Sequence, residues 1–127
     1  MYDYLKRKRI FTEEEAAHCI CDVLKGLEYL KRKGVIHRDI KLKNIILGLE
    51  EDESHPKYKL CDFGLSDFTV KADDSPETGT PGYIAPEIFL FKIHINGDIF
   101  SVGIILFALL TGYFPYNNKT KNINEIL

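Results

Sequence analysis

The stretch VIHRDIKLKNIIL, Val35–Leu47, sets a His, an Arg, an Asp, two Lys and an Asn between two β-branched apolar runs. Apolar flanks of that kind leave water readily. The charged middle cannot follow them cheaply, because a buried polar group needs a partner and a buried charge needs one more. The residue types suggest uses that would justify the cost. Carboxylates and amide oxygens can grip a hard cation, a carboxylate can take a proton, and lysine is a compact cation able to neutralise an anion. Two further polar clusters follow, CDFGLS at Cys61–Ser66 and GTPGYIAPE at Gly79–Glu87.

The elements that must carry these clusters are legible around them. Thr12 offers an N-cap oxygen, and Glu15 three residues on completes a capping box. Ile20, Val23, Leu24, Leu27 and Leu30 then recur at helical spacing and Gly34 supplies a stop, which predicts an amphipathic helix over residues 13–33 with one buried stripe. Val35–Ile36, Ile45–Leu47 and Tyr58–Cys61 read as short strands. The acidic loop GLEEDESHPKY between the last two contains Pro56 and belongs on the surface. From Gly64 to Tyr83 neither period is visible, and a structureless stretch that long inside a compact domain is usually functional. Asp98 then reads as the cap of a second helix, apolar nearly all round and therefore central.

Composition narrows the function classes. A chain of 127 residues with 45% hydrophobic and 28% charged content is one soluble globular domain. A net charge of −2 gives no electrostatic case for nucleic-acid or membrane partners. The basic run KRKR at Lys6–Arg9 reads as a solvated helix end, with a localisation or docking signal as the alternative. Three cysteines without a second metal-ligand pair suggest neither disulfides nor zinc, and reduced thiols point to a cytoplasmic protein. Met1 is followed by polar residues rather than a signal peptide, and Ile99–Leu110 is too short for a span of about 20 residues.

With His37-Arg38-Asp39 and Asn44, Asp62-Phe63-Gly64, and Ala85-Pro86-Glu87 in that order, the chain resembles the eukaryotic protein kinases along essentially its whole length. At roughly 5% per residue the seven positions His37, Arg38, Asp39, Asn44, Asp62, Phe63 and Gly64 together would arise by chance about once in a billion starts. The resemblance implies a mainly α fold with a few short β-strands, the large lobe of a kinase truncated at both ends. Its catalytic loop is residues 37–44, its activation segment 62–87 and its central helix about 98–110. It implies ATP and Mg2+ as cofactors, and a protein substrate.

The same resemblance assigns roles. Asp39 orients the acceptor hydroxyl and takes its proton, Lys41 meets the transferring phosphate, and Asn44 and Asp62 bind the metal. Ile46 floors the adenine pocket and the Lys43 backbone lies near the ribose. His37 stacks on Phe63 as a packing residue, and Asp98 holds backbone amides of the catalytic loop. Cys61 reads as a small core residue, with a reactive thiol as the other reading. Lys41 in this loop, and Thr80 bridging Lys41 and Asp39, resemble the serine/threonine kinases. The GTPGYIAPE segment and the lengthened loop before Asp62 are similar to the calcium/calmodulin-dependent group, which implies an upstream kinase or a calmodulin-like regulator as a partner.

Arg38 implies a counter-ion, which in the family is often a phosphorylated residue of the activation segment. The usual position is Pro76 here, so Ser75 or Thr78 is the expected phosphorylation site, with Asp73, Asp74 or Glu77 as phosphate-free partners. The Gly-rich loop, the Lys and the helix Glu of a small lobe are not in this sequence, and YDYL at Tyr2–Leu5 resembles the first large-lobe helix. No Arg follows Arg38 to meet Glu87, and NINEIL resembles the start of a further helix. The small lobe is therefore an expected missing partner, and the chain alone is expected to be inactive and to expose apolar surface. A non-catalytic, pseudokinase-like interaction module is the second reading. The intact Asp39, Lys41, Asn44 and Asp62 favour the first.

Overall fold

The computed structural model describes residues 1, 3, 7, 8, 10–48, 56–68, 78–91 and 96–116. Helix α1 spans Glu13–Arg32, and its start is the predicted capping box. The Glu15 amide donates to Thr12 Oγ1 at 3.2 Å and the Thr12 amide to Glu15 Oε2 at 2.9 Å. Acids fill its first turn, and Lys31 and Arg32 its last, each facing the favourable end of the helix dipole. Gly34 takes φ 68 just after the cap at Lys33, a left-handed exit in which a Cβ would be strained. The buried stripe is not quite the expected one. It runs through Ala16, Cys19, Val23 and Leu27, while Leu24 faces outward.

Helix α1 packs on a later helix and on strands that carry the loops. Strand β1, Val35–Ile36, leads into the loop that carries His37, Arg38 and Asp39, which closes with a short 3-10 turn at Leu42–Asn44. Strand β2, Ile45–Gly48, pairs antiparallel with β3, Lys57–Leu60, in the register Ile45↔Leu60 to Gly48↔Lys57. Expected strand ends differ from these by one residue. Strand β4, Asp67–Phe68, lies where no period was visible and pairs antiparallel with β1 through Ile36↔Asp67 and Val35↔Phe68. Asp22 of α1 accepts the Tyr58 amide at 3.2 Å and so fastens β3 to the helix.

Helix α2, Pro86–Phe91, was not expected. Proline at the first helical position, where its missing N–H is no loss, starts it. Helix α3, Gly97–Thr111, is the central helix. Its N-cap is Asn96 rather than Asp98, which sits in the first turn with its carboxylate turned to the catalytic loop. A Cβ on Gly97 would lie 2.7 Å from Ile88 Cδ1, so the glycine lets α2 and α3 approach. Ile105 and Leu109 are fully buried with Val23, Cys19 and Ile45 in one core. The Phe11 amide donates to Leu109 O at 2.9 Å across the helix pair. Ile99, Phe107 and Leu110 remain exposed, so the all-round apolar helix is only partly covered among the described residues. No described helix is long and apolar enough to cross a membrane. The expected helices at Tyr2–Leu5 and in NINEIL fall outside the described residues, except for Asp3, which is helical.

Candidate active site

Two backbone anchors create the site. The first is Asp98 at the start of α3, whose Oδ2 accepts the His37 amide at 2.8 Å and whose Oδ1 accepts the Arg38 amide at 2.9 Å. Burial pushes its carboxyl up from the ordinary aspartate range, against the opposing pull of those two amides and of His37 and Arg38. The second is the β2–β3 pair, continued by the Cys61 amide donating to Asn44 O at 2.9 Å. That bond brings Asp62, the next residue, alongside the end of the catalytic loop.

His37 is fully buried and joins the two anchors. Its Nε2 lies 3.2 Å from Cys61 O, an atom that can only accept, so Nε2 carries the proton. Nδ1 is then free to accept the Asp39 amide, at 3.3 Å. Its ring meets that of Phe63 at 4.9 Å between centroids. With both nitrogens committed to backbone groups, His37 is a packing and positioning residue, as expected.

The carboxylate of Asp39 is the centre of a closed polar cluster. Lys41 Nζ donates to Asp39 Oδ2 at 2.6 Å and to Thr80 Oγ1 at 2.9 Å, and Thr80 Oγ1 donates to Asp39 Oδ1 at 2.6 Å. Asn44 Nδ2 donates to Asp39 O at 2.9 Å and to Asp39 Oδ2 at 3.0 Å. The hydrogens are consistent throughout: Thr80 accepts from lysine and gives to aspartate, and the amide faces two acceptors, which fixes its orientation. Two donors occupy Oδ2 and one occupies Oδ1. Since each carboxylate oxygen can accept twice, Oδ1 keeps room for one further hydroxyl. Lys41 has used two of its three N–H groups, and the third can meet an anion.

The donor set also suits a hard divalent cation. Asn44 has committed its nitrogen, which leaves Oδ1 as the amide atom able to ligate. Asp62 is exposed, and among the described residues its Oδ1 holds only the Gly64 amide, at 3.3 Å. One carboxylate and one neutral oxygen match magnesium, which keeps several waters and phosphate oxygens as its other ligands. No cluster of three or more His, Cys, Asp or Glu able to hold a metal occurs among the described residues, so the protein would supply only part of a coordination shell. Asp62 takes φ 64, a left-handed conformation rare for a residue with a side chain and typical of functional turns.

Other expected site residues are placed less centrally. Ile46 alternates outward from β2 and is 52% exposed, whereas Ile45 beside it is buried. Lys43 is exposed on the 3-10 turn. Thr78 is half-buried with its hydroxyl out of solvent and unbonded among the described residues, in a cavity of about 10 Å³, room for one water, that Arg38, Asp39 and Asp98 also line. Ser75, Asp73, Asp74 and Glu77 fall outside the described residues. Glu87 is half-buried, and its carboxylate has no ion pair or hydrogen bond among the described residues. The partner found for Arg38 is Asp67, whose Oδ2 lies 3.4 Å from Nη1. Sequence reasoning missed it. Nothing local marks this aspartate, and its approach depends on the β1–β4 register.

Comparison with known proteins gives the family of the chain as a whole. Residues 1–127 match the family described as protein kinase domain. A probable serine/threonine-protein kinase 2 of Plasmodium falciparum is 39% identical over 127 residues, covering 99% of this chain and 24% of that protein. A death-associated protein kinase related protein of Drosophila melanogaster is 38% identical over 119 residues, 92% of this chain and 17% of the relative. A calcium/calmodulin-dependent protein kinase type 1 of Macrobrachium nipponense is 35% identical over 120 residues, 94% of this chain and 34% of the relative. The chain thus spans about a third or less of the length of each.

Proposed function

We propose, from the premise that this chain belongs to the protein kinase domain family, that it supplies the large-lobe catalytic segment of a serine/threonine protein kinase. The reaction is transfer of the γ-phosphate of ATP to a protein Ser or Thr hydroxyl. The observation that carries the reading is the closed cluster of Asp39, Lys41, Asn44 and Thr80. Phosphoryl transfer asks a protein mainly for alignment and charge neutralisation, and each member of the cluster has one of those tasks.

Asp39 Oδ1 receives the acceptor hydroxyl at its remaining lone pair, orients it toward the phosphorus and takes its proton as the new P–O bond forms. Lys41 neutralises charge on the transferring group with its third N–H while its other two hold the aspartate in place. Thr80 ties both to the segment that follows, so a substrate lying on that segment is registered against the base. Asn44 and Asp62 would hold Mg2+, which when bound offsets the negative charge of the phosphates. Ile46, exposed on β2 beside them, offers an apolar surface for the adenine ring.

The names of the relatives support the serine/threonine assignment, and one of them supports the resemblance to the calcium/calmodulin-dependent group. The test is phosphorylation of Ser/Thr peptides with ATP and Mg2+ by the complete polypeptide that carries these residues. Activity that disappears in Asp39→Asn supports the reading. An active Asp39→Asn variant removes Asp39 from the role of base, and a wild type that binds partners without turnover favours the pseudokinase-like module instead. Residues 1–127 alone are expected to show no turnover, because the groups that cover the ATP phosphates in a kinase are not among them.

A further inference from the structure

Arg38 is joined to the strand after the metal turn more firmly than its role as a loop residue requires. Among the described residues the β1–β4 ladder has the pairs Val35↔Phe68 and Ile36↔Asp67, too short to hold a junction alone. Beyond it the connection continues through polar side chains. Ser66 Oγ donates to His37 O at 3.3 Å, Arg38 Nε donates to Leu65 O at 2.8 Å, and Arg38 Nη1 meets Asp67 Oδ2 at 3.4 Å. The Arg38 side chain is only 8% exposed, so its guanidinium sits largely out of water and needs an anion nearby. Asp67 provides one from within the fold.

Its place is not accidental. The register Ile36↔Asp67 sets the face on which the carboxylate lies, and a slip of one residue would turn it away. Arg38 itself holds φ 66, a conformation unfavourable for any residue with a Cβ. Its amide is held by Asp98 on α3 and its side chain by Leu65 and Asp67 on the other side. Gly79 closes a third side, where a Cβ would come within 3.1 Å of Arg38 O. Asp39, the next residue, inherits whatever position this clamp gives the chain.

We propose that Asp67 is a positioning residue for phosphoryl transfer. As a built-in counter-ion to Arg38 it ties the loop bearing Asp39 to the segment bearing Asp62, and this tie requires no phosphate on the activation segment. The inference rests on the kinase reading above and adds the residue that couples the two halves of the site. A phosphorylated residue could fill the same electrostatic role, and the test separates the two.

The experiment uses the complete polypeptide that carries these residues, treated with a phosphatase, as wild type, Asp67→Asn and Asp67→Glu. Asp67 is partly exposed, so its isosteric amide leaves the fold intact. Asp67→Asn is expected to lower kcat about tenfold or more with little change in KM for ATP, the pattern of lost alignment rather than lost binding. Asp67→Glu is expected to recover most of it, and the dephosphorylated wild type to stay active. An unchanged kcat in Asp67→Asn overturns the proposal, as does a dephosphorylated wild type that falls to the Asp67→Asn level. A second readout is independent of turnover: the Arg38 Nη1 protons, which face Asp67 Oδ2, should exchange slowly in the wild type and quickly in Asp67→Asn. If the wild type is inactive but this difference is seen, the tie stands and the kinase reading falls. Equal exchange in both overturns the tie.

Discussion

Asp98 Oδ2 accepts the backbone N–H of His37 at 2.8 Å, a contact between residues 61 apart in sequence. The same carboxylate takes the Arg38 amide, so a single side chain at the start of the central helix sets the entrance of the catalytic loop. His37 is buried and Arg38 half-buried, and Asp98 is the acceptor of both amides. Asp98→Ala would strand them, at a cost of about 2–3 kcal/mol in local stability. Amide hydrogen exchange at His37 and Arg38 should then speed up, while amides in the middle of α1 keep their protection. Unchanged exchange at the two loop amides would remove Asp98 from this role.

The stability that Asp98 confers should also depend on pH, with a definite sign. Burial raises its carboxyl in the folded state above the ordinary aspartate value of about 3.9. The folded chain therefore keeps the proton over a range where the unfolded chain has lost it. The contribution is complete below the unfolded value and declines as pH rises through the folded one. The gap in thermal stability between the wild type and Asp98→Ala should narrow from pH 4 upward. A gap that widens over that range would show that the amide hydrogen bonds outweigh desolvation.

Thr80 is expected to matter to turnover more than to folding. Its hydroxyl accepts from Lys41 and donates to Asp39. Thr80→Val keeps the shape, deletes both bonds and frees the lysine to swing away. A hydrogen bond to a charged group is worth about 1.5–3 kcal/mol, so kcat should fall roughly 10- to 100-fold. Thr80→Ser should retain most of the activity in the same steady-state assay. Equal activity in the valine and serine variants would mean that the hydroxyl does not organise the base.

These cases show which features a sequence can carry. The Thr12–Glu15 capping box is visible because its partners are three residues apart and its geometry is local. The grouping of Asp39, Lys41 and Asn44 is visible for the same reason, since one loop holds all three. Asp98 reads locally as a helix cap, yet Asn96 holds that place and the carboxylate goes to a loop on the far side of the sequence. Asp67 has no local signature at all, because a strand of two residues creates no period and only its pairing with β1 brings it to Arg38. Helix α2 is signalled by Pro86 alone, six residues being too few for a helical repeat. Local chemistry is written locally; tertiary placement is not.

His37 should prove structural by the shape of its pH profile. Its two ring nitrogens serve Cys61 O and the Asp39 amide, and its side chain is fully buried. His37→Phe keeps the ring contact with Phe63 but leaves that carbonyl and amide unbonded, a loss of about 2–4 kcal/mol. The variant should unfold at lower temperature and turn over more slowly. The pH dependence of kcat should keep its shape, because in the proposed reaction the proton leaves the acceptor hydroxyl for Asp39. Loss of one limb of the profile would assign His37 to acid–base chemistry instead.

The thiols give a test that needs no substrate. Burial pushes the Cys19 thiol up to about 12, with the nearby Asp22 adding to the rise. Cys19 also lies wholly within the core that joins α1 to α3, whereas Cys21 is exposed on the other face of α1. The thiolate is the reactive form, so at pH 8 an alkylating reagent should modify Cys21 within minutes and spare Cys19 until the chain unfolds. Peptide mass spectrometry at increasing urea concentration reads both events in one sample. The concentration at which Cys19 becomes modified then measures the strength of the α1–α3 core. Early modification of Cys19, at the rate of Cys21 and without denaturant, would show that these two helices do not pack as described.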